Sequence, residues 1–301
     1  MTAVRVLYRY VWHLACCVLL CGAVVWSPAS AAAECIETPR LIVCDLTQGA
    51  LSQERFAALA QGTAAALQQV LDFWSADDGT ARFGKIRVEF APPRRGYYAT
   101  EFHMQRSPAG RLRVIRVWGA VQAPQELVHK LTVAIFPTAD KLVRNMMGGA
   151  MEARLGNRQS FPGCGYAAAS WVLALRDAGA YVPLHELGSG HEAWGMAVGS
   201  QGWLYPTDRR RQHATYAEAV AFGEFLLDSH GKEALARFYQ LAQRRGERPW
   251  QEVYGQPLAA LEQRWLARME EERATRAAEL RAVSALWSAD ADTCPAQRPG
   301  D

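Results

Sequence analysis

The run Gln125-Glu126-Leu127-Val128-His129 carries the strongest chemical signal in the chain. A zinc hydrolase built on H-E-x-x-H sets two imidazoles four residues apart on one helical face, with the glutamate beside them to activate water. His129 stands at the second imidazole position and Glu126 at the general-base position, while Gln125 replaces the first histidine. A neutral carboxamide is a poor zinc ligand, so the motif is incomplete. A second stretch rich in ligand types is His185-Glu186-Leu187-Gly188-Ser189-Gly190-His191-Glu192. Its histidines would lie about 240° apart around a helix at 100° per residue. Its two glycines favour a loop, which could still gather them around an ion. His103, His213 and His230 are isolated and read as surface or hydrogen-bonded histidines. The chain holds no G-x-S-x-G elbow, no papain-like cysteine signature and no phosphate-cradling glycine loop.

The elements that must position these residues follow from periodicity. Leu41-Ile42-Val43, Lys85–Phe90, Tyr97–Met104 and Arg111–Trp118 read as strands, the last two separated by Ser107-Pro108-Ala109-Gly110. Between the first two, Ser52–Phe73 has helical spacing, with Ser52 as N-cap. Beyond Pro124 the character changes to helices: Gln125–Phe136, Leu142–Leu155, Ala167–Asp177, Ala217–Ser229, Lys232–Arg244 and one long helix from Leu258 to about Trp287. The fold class expected is α+β, with a small mixed N-terminal sheet region followed by a mainly helical C-terminal half. The divisions expected are a leader at 1–33, a mixed region at 34–123, a helical region at 124–268, and a C-terminal helix and tail at 269–301.

The leader is read from Arg5 and Arg9, the apolar stretch Tyr10–Trp26 and the small residues up to Ala31-Ala32-Ala33, which offer an A-x-A cleavage site. Cleavage after Ala33 leaves 268 residues carrying a charge of +1, without a membrane anchor; retention of the stretch as an anchor is the alternative. Export to the periplasm or outside the cell is the expected destination. A chain 50% hydrophobic and 21% charged excludes a disordered tail, a collagen-like fibre and a polybasic nucleic-acid arm. The arginine runs 94–95, 209–211 and 244–245 lack interleaved aromatics and read as solvated or salt-bridged surface, so no nucleic-acid partner is expected. Lysine occurs only at Lys85, Lys130, Lys141 and Lys232. Trp194 and Trp203 bracket a glycine-rich loop that could line a cleft. Four cysteines remain after the leader, an even number suited to disulfides in an oxidising compartment. Three connectivities are open, and the pairing expected is Cys35–Cys44 with Cys164–Cys294. The absence of a C-x-x-C pair argues against a cysteine metal site.

The order of strand, E-x-x-H helix, second helix and C-terminal stretch resembles the gluzincin metallopeptidases, specifically the peptidase MA-like group. Downstream, Tyr181-Val182-Pro183-Leu184-His185-Glu186-Leu187 looks like that family's segment linking helices after the catalytic pair. The run 216–222, followed by Leu226, Leu227, His230 and Gly231, resembles its next helix. Tyr254-Gly255-Gln256-Pro257-Leu258 through Leu261, Glu262 and Trp265 resembles its closing helix. The matches span about Ser52 to Met269. In that family the third zinc ligand is a glutamate in an E-G-x-A-like motif; the corresponding stretch is 146–152, which puts Gly148 at the ligand position. Glu152, one turn further on the same face, could act as a shifted ligand with His129 and Gln125.

The resemblance therefore implies a gluzincin-like fold whose metal site has decayed: no cofactor, no hydrolysis, and a former cleft that binds a peptide, protein or envelope partner. If activity survives, zinc held by His129, Glu152 and Gln125 with Glu126 as general base would carry it. A third possibility is an assembly factor acting through the charge-rich C-terminal helix 270–281.

Overall fold

Apolar residues, most of them β-branched, such as Leu41, Val43, Ile86, Val88, Val114 and Val117 build the middle of a five-stranded sheet and are fully buried. The computed structural model describes residues 33–93, 100–107, 110–119, 126–199 and 204–290. The predicted leader, Gln125, Trp203 and Cys294 lie outside the described residues. Strands β1 (Glu34–Glu37), β2 (Leu41–Asp45), β3 (Ile86–Ala91), β4 (Thr100–Ser107) and β5 (Gly110–Trp118) are arranged β1-β2-β3-β5-β4. β2, β3 and β5 run parallel, and the edge strands β1 and β4 are antiparallel to their neighbours.

A parallel β2–β3 pair needs a crossover, and helix α1 (Gln53–Trp74) supplies it. As expected from the sequence, the Ser52 side chain caps α1, accepting from the Arg55 N–H at 3.2 Å. Cys35 and Cys44 face each other in register, and a disulfide joins them with the Cα atoms 4.1 Å apart. Cys164 is also disulfide-bonded. Beneath the sheet, the fully buried Arg113 donates to the carbonyls of Asp78 (2.5 Å), Gly84 (2.5 Å) and Ala134 (3.2 Å). It thereby ties β5 to the short helix α2 (Thr80–Phe83) and to the first helix of the helical half.

That half comprises α3 (Leu127–Ile135), α4 (Lys141–Leu155), α5 (Ala168–Asp177), α6 (Arg209–Arg245), α7 (Trp250–Tyr254), α8 (Leu258–Glu271) and α9 (Ala277–Asp290), with a small hairpin of β6 (Met196–Val198) and β7 (Leu204–Pro206). The chain is thus mixed α/β, with an N-terminal sheet and a mainly helical C-terminal half. One apolar core runs through both: Ile86, Val88 and Ile115 of the sheet share it with Leu131, Met147 and Phe222 of the helices. Residues 34–301 form one compact unit.

Two helices differ from expectation. The Asp208 side chain accepts from the Arg211 N–H at 2.9 Å, so α6 starts at Arg209, eight residues before the predicted start. The interruption expected at His230-Gly231 is present as a bend inside α6, where Gly231 has φ 81° and ψ 168°, a conformation open to glycine almost alone. The single helix predicted from Leu258 to Trp287 is broken after Glu271. There Arg273 pairs with Asp177 at 2.9 Å and with Glu270 at 2.6 Å. The break lets α9 fold against α5, burying Val283 and Trp287 beside Trp171. The charges of 270–281 read as a solvated face are in part paired within the chain in this way.

Helices α4 and α6 cross in close contact. A Cβ at Gly149 would meet Val220 Cγ2 at 2.2 Å, and one at Gly223 would meet the Met146 carbonyl oxygen at 2.3 Å. Backbone cannot yield as a flexible side chain does, so Gly223→Ala is expected to destabilise the protein by about 1–3 kcal/mol. Urea denaturation checks this, and an unchanged midpoint would contradict so tight a crossing.

Candidate functional site

The start of α3 lacks a cap from its own sequence: Glu126 occupies the N-cap position but makes no side-chain cap bond. The cap comes from α4. Glu152, only 5% exposed, accepts the His129 N–H on Oε2 at 2.8 Å and the Asn157 N–H on Oε1 at 2.7 Å. Both carboxyl oxygens are therefore held by backbone donors that would otherwise be orphaned. Burial pushes the Glu152 carboxyl up to about 7, with the two N–H donors opposing and the nearby Glu126 carboxylate adding to the rise. Glu126 itself pairs with Lys130 at 3.1 Å, one turn along α3.

The His129 imidazole is fully buried, and its Nε2 has no hydrogen-bond partner. Burial, then the cations Lys130 and Arg144, hold it well below the usual histidine range despite the Asn145 side chain, so the ring is neutral at physiological pH. Its ring packs against α4 at Gly148, the position where the third ligand was sought. A Cβ at Gly148 would meet His129 Cδ2 at 2.4 Å and Nε2 at 2.8 Å. Gly148 thus faces the imidazole, and the ring fills the space that a side chain there would need.

His129 and Glu152 share the wall of a cavity of about 190 Å³, closed by the 157–168 loop, α6 and α9. Glu224 of α6 also lines it. Burial pushes this carboxyl up to about 7, with Arg154 opposing and Asp228 reinforcing the shift. The cavity therefore combines a neutral imidazole with two carboxyls that exchange protons near neutrality, alongside apolar Val220, Phe161 and Pro162. Such groups can accept and donate hydrogen bonds to a polar ligand.

The segments that carried the family resemblance downstream meet in a second buried network. The Val182 N–H donates to Glu218 at 2.9 Å and the Leu184 N–H to Glu262 at 2.8 Å; the Tyr181 hydroxyl also donates to Glu262. Pro183 between them has no N–H, so 182–184 has both its donors taken by carboxylates. Burial raises the Glu218 carboxyl well above its ordinary range, with the neighbouring Glu262 adding to the shift after the Val182 N–H opposes it. This network fixes the loop that follows α5 to α6 and α8.

The remaining sequence candidates are dispersed. Leu184–Glu186 is a single 3-10 turn whose Glu186 lies 3.7 Å from Arg211. Among the described residues, no group of three or more His, Cys, Asp or Glu side chains is placed to hold a metal ion, the 185–192 loop included. Trp194 is buried and donates to the Gly188 carbonyl at 2.8 Å, bracing that loop. Sequence inspection passed over Glu224, Glu218 and Lys141. For the two glutamates the available signal was a carboxyl set in the apolar run 217–227, where the helix has no solvated stripe. No family model, curated protein or solved structure matches this chain.

Glu152 and Glu224 each hold a proton in the folded state at pH values where the unfolded chain has released it. Folding stability therefore falls as pH rises from the ordinary carboxylate range to about 7 and levels off above it. Glu224→Gln removes one of these groups and is expected to flatten the decline. Urea denaturation at pH 5, 6, 7 and 8 measures it; an identical slope in the variant would show that Glu224 titrates normally.

Proposed function

We propose that this chain is an exported, gluzincin-like protein without peptidase activity, which binds a peptide or protein partner in the cavity beneath His129. The observation that carries the non-catalytic half is the occupation of Glu152. A carboxylate that caps α3 and the 152–157 turn with both oxygens has no oxygen free in position for a metal. Gly148 contributes no ligand, and Glu126 is engaged by Lys130. Export is supported by the leader-like sequence at 1–33 and by the Cys35–Cys44 disulfide. In addition, no helix among the described residues is long and apolar enough to cross a membrane. Binding is supported by the cavity, its mixed polar and apolar wall, and the His129 and Glu224 side chains, which can exchange hydrogen bonds with a ligand.

The purified protein, equilibrated with zinc and then dialysed, is expected to retain far less than one zinc per chain and to leave a quenched fluorescent casein uncut. Stoichiometric zinc that disappears in His129→Ala, with hydrolysis that disappears in Glu126→Gln, would overturn the proposal in favour of an active peptidase. For binding, a photo-crosslinking residue at Ala153, on the cavity wall, is expected to capture a partner in the exporting cell that the same residue at exposed Gln251 does not. Equal capture at both positions would place the partner elsewhere.

A further inference from the structure

Lys141 opens α4, two turns before Gly148, and its side chain is an anomaly. The residue is 1% exposed, and its Nζ has no hydrogen-bond partner. A buried ammonium without a partner is costly, and native proteins rarely keep one. Burial and the neighbouring Arg144 push its pKa down to about 7. The other three lysines are engaged: Lys85 with Glu37, Lys130 with Glu126, and Lys232 with the Phe73 carbonyl.

Lys141 is surrounded by further unmatched groups. Asn145, one turn along the same face and also 1% exposed, has an Nδ2 that donates to nothing. His191, from the loop before β6, has a buried Nδ1 without a partner, and its ring is depressed by burial and then by Lys141 and Arg144. The Trp194 ring completes the surroundings, its centroid 6.0 Å from Lys141 Nζ. Ammonium, amide N–H₂, imidazole and guanidinium all favour an acceptor.

We infer that Lys141, Asn145 and His191, with Arg144 adding positive potential, form a binding site for a ligand carboxylate, whose apolar neighbour rests on Trp194. A carboxylate is planar and singly charged, so one ammonium and one amide donor serve its two oxygens. The indole face suits a carbon skeleton beside it. A phosphate dianion asks for more donors and for more charge than one buried lysine brings. This inference does not depend on what the cavity beneath His129 holds.

The test is calorimetric titration of the purified chain with four probes: trialanine, its C-terminal amide, acetate and inorganic phosphate. Trialanine is expected to bind, and its amide to bind about tenfold or more weakly, the loss of a charged hydrogen-bonded pair. Acetate binding as tightly as trialanine would support the site and assign it to small acids rather than to peptide termini. Equal affinity for acid and amide, a preference for phosphate, or no binding of either carboxylate would overturn it. Lys141→Met is expected to abolish carboxylate binding while leaving or raising the melting temperature, since an unpaired buried charge is removed. Retained binding in that variant also overturns the proposal.

Discussion

The arrangement of the helical half depends on one buried carboxyl group. Glu152 holds the first turn of α3 and the turn after α4 at the same time: one hydrogen bond joins α4 to the start of α3, and the other closes the turn at the end of α4 itself. Burial disfavours its charge, while the positive end of α3 and the two N–H groups favour it. The balance leaves a carboxyl that titrates near neutrality. A side chain used in this way is a joint between helices. The imidazole next to it is placed by the same joint, because His129 supplies the N–H that Glu152 accepts.

A similar solution recurs on the other side of α6. Glu218 and Glu262 reach from two helices to the loop after α5 and accept its backbone donors. In both places a glutamate substitutes for water around chain that cannot form regular secondary structure. The close approach of α4 and α6 at Gly149 and Gly223 completes the frame, because backbones this near leave no room for bridging side chains at the crossing.

Much of the fold was legible in the sequence. The sequence pattern identified four of the five strands of the large sheet, and Ser52 and Gly231 marked boundaries that the structure keeps within a few residues. Elements without periodicity were not legible: β1 is four residues with one partly buried side chain, and β6 and β7 have three residues each. The break after Glu271 was hidden because its cause, Asp177 pairing with Arg273, lies 96 residues away. The site was legible as a set of residues and not as an arrangement. Helical spacing placed Glu152 and Gly148 on the face of α4 toward His129. Which atoms Glu152 would accept from depended on where the backbone of α3 begins, and that is tertiary information. Lys141 carried no local signal at all, since a lysine at the first position of a helix ordinarily stands in water.

The bend at Gly231 settles a question of length. A straight helix of 37 residues measures about 55 Å at 1.5 Å per residue. A compact unit of the size of residues 34–301 is only about 45–50 Å across, from the usual scaling of radius with residue number. Unbent, α6 would run past the body it packs against and leave its last turns with nothing to cover. With the bend, Lys232 reaches back to the end of α1, and Phe238 beyond it returns to the core. The glycine thus lets one helix serve as inner wall on both sides of a corner.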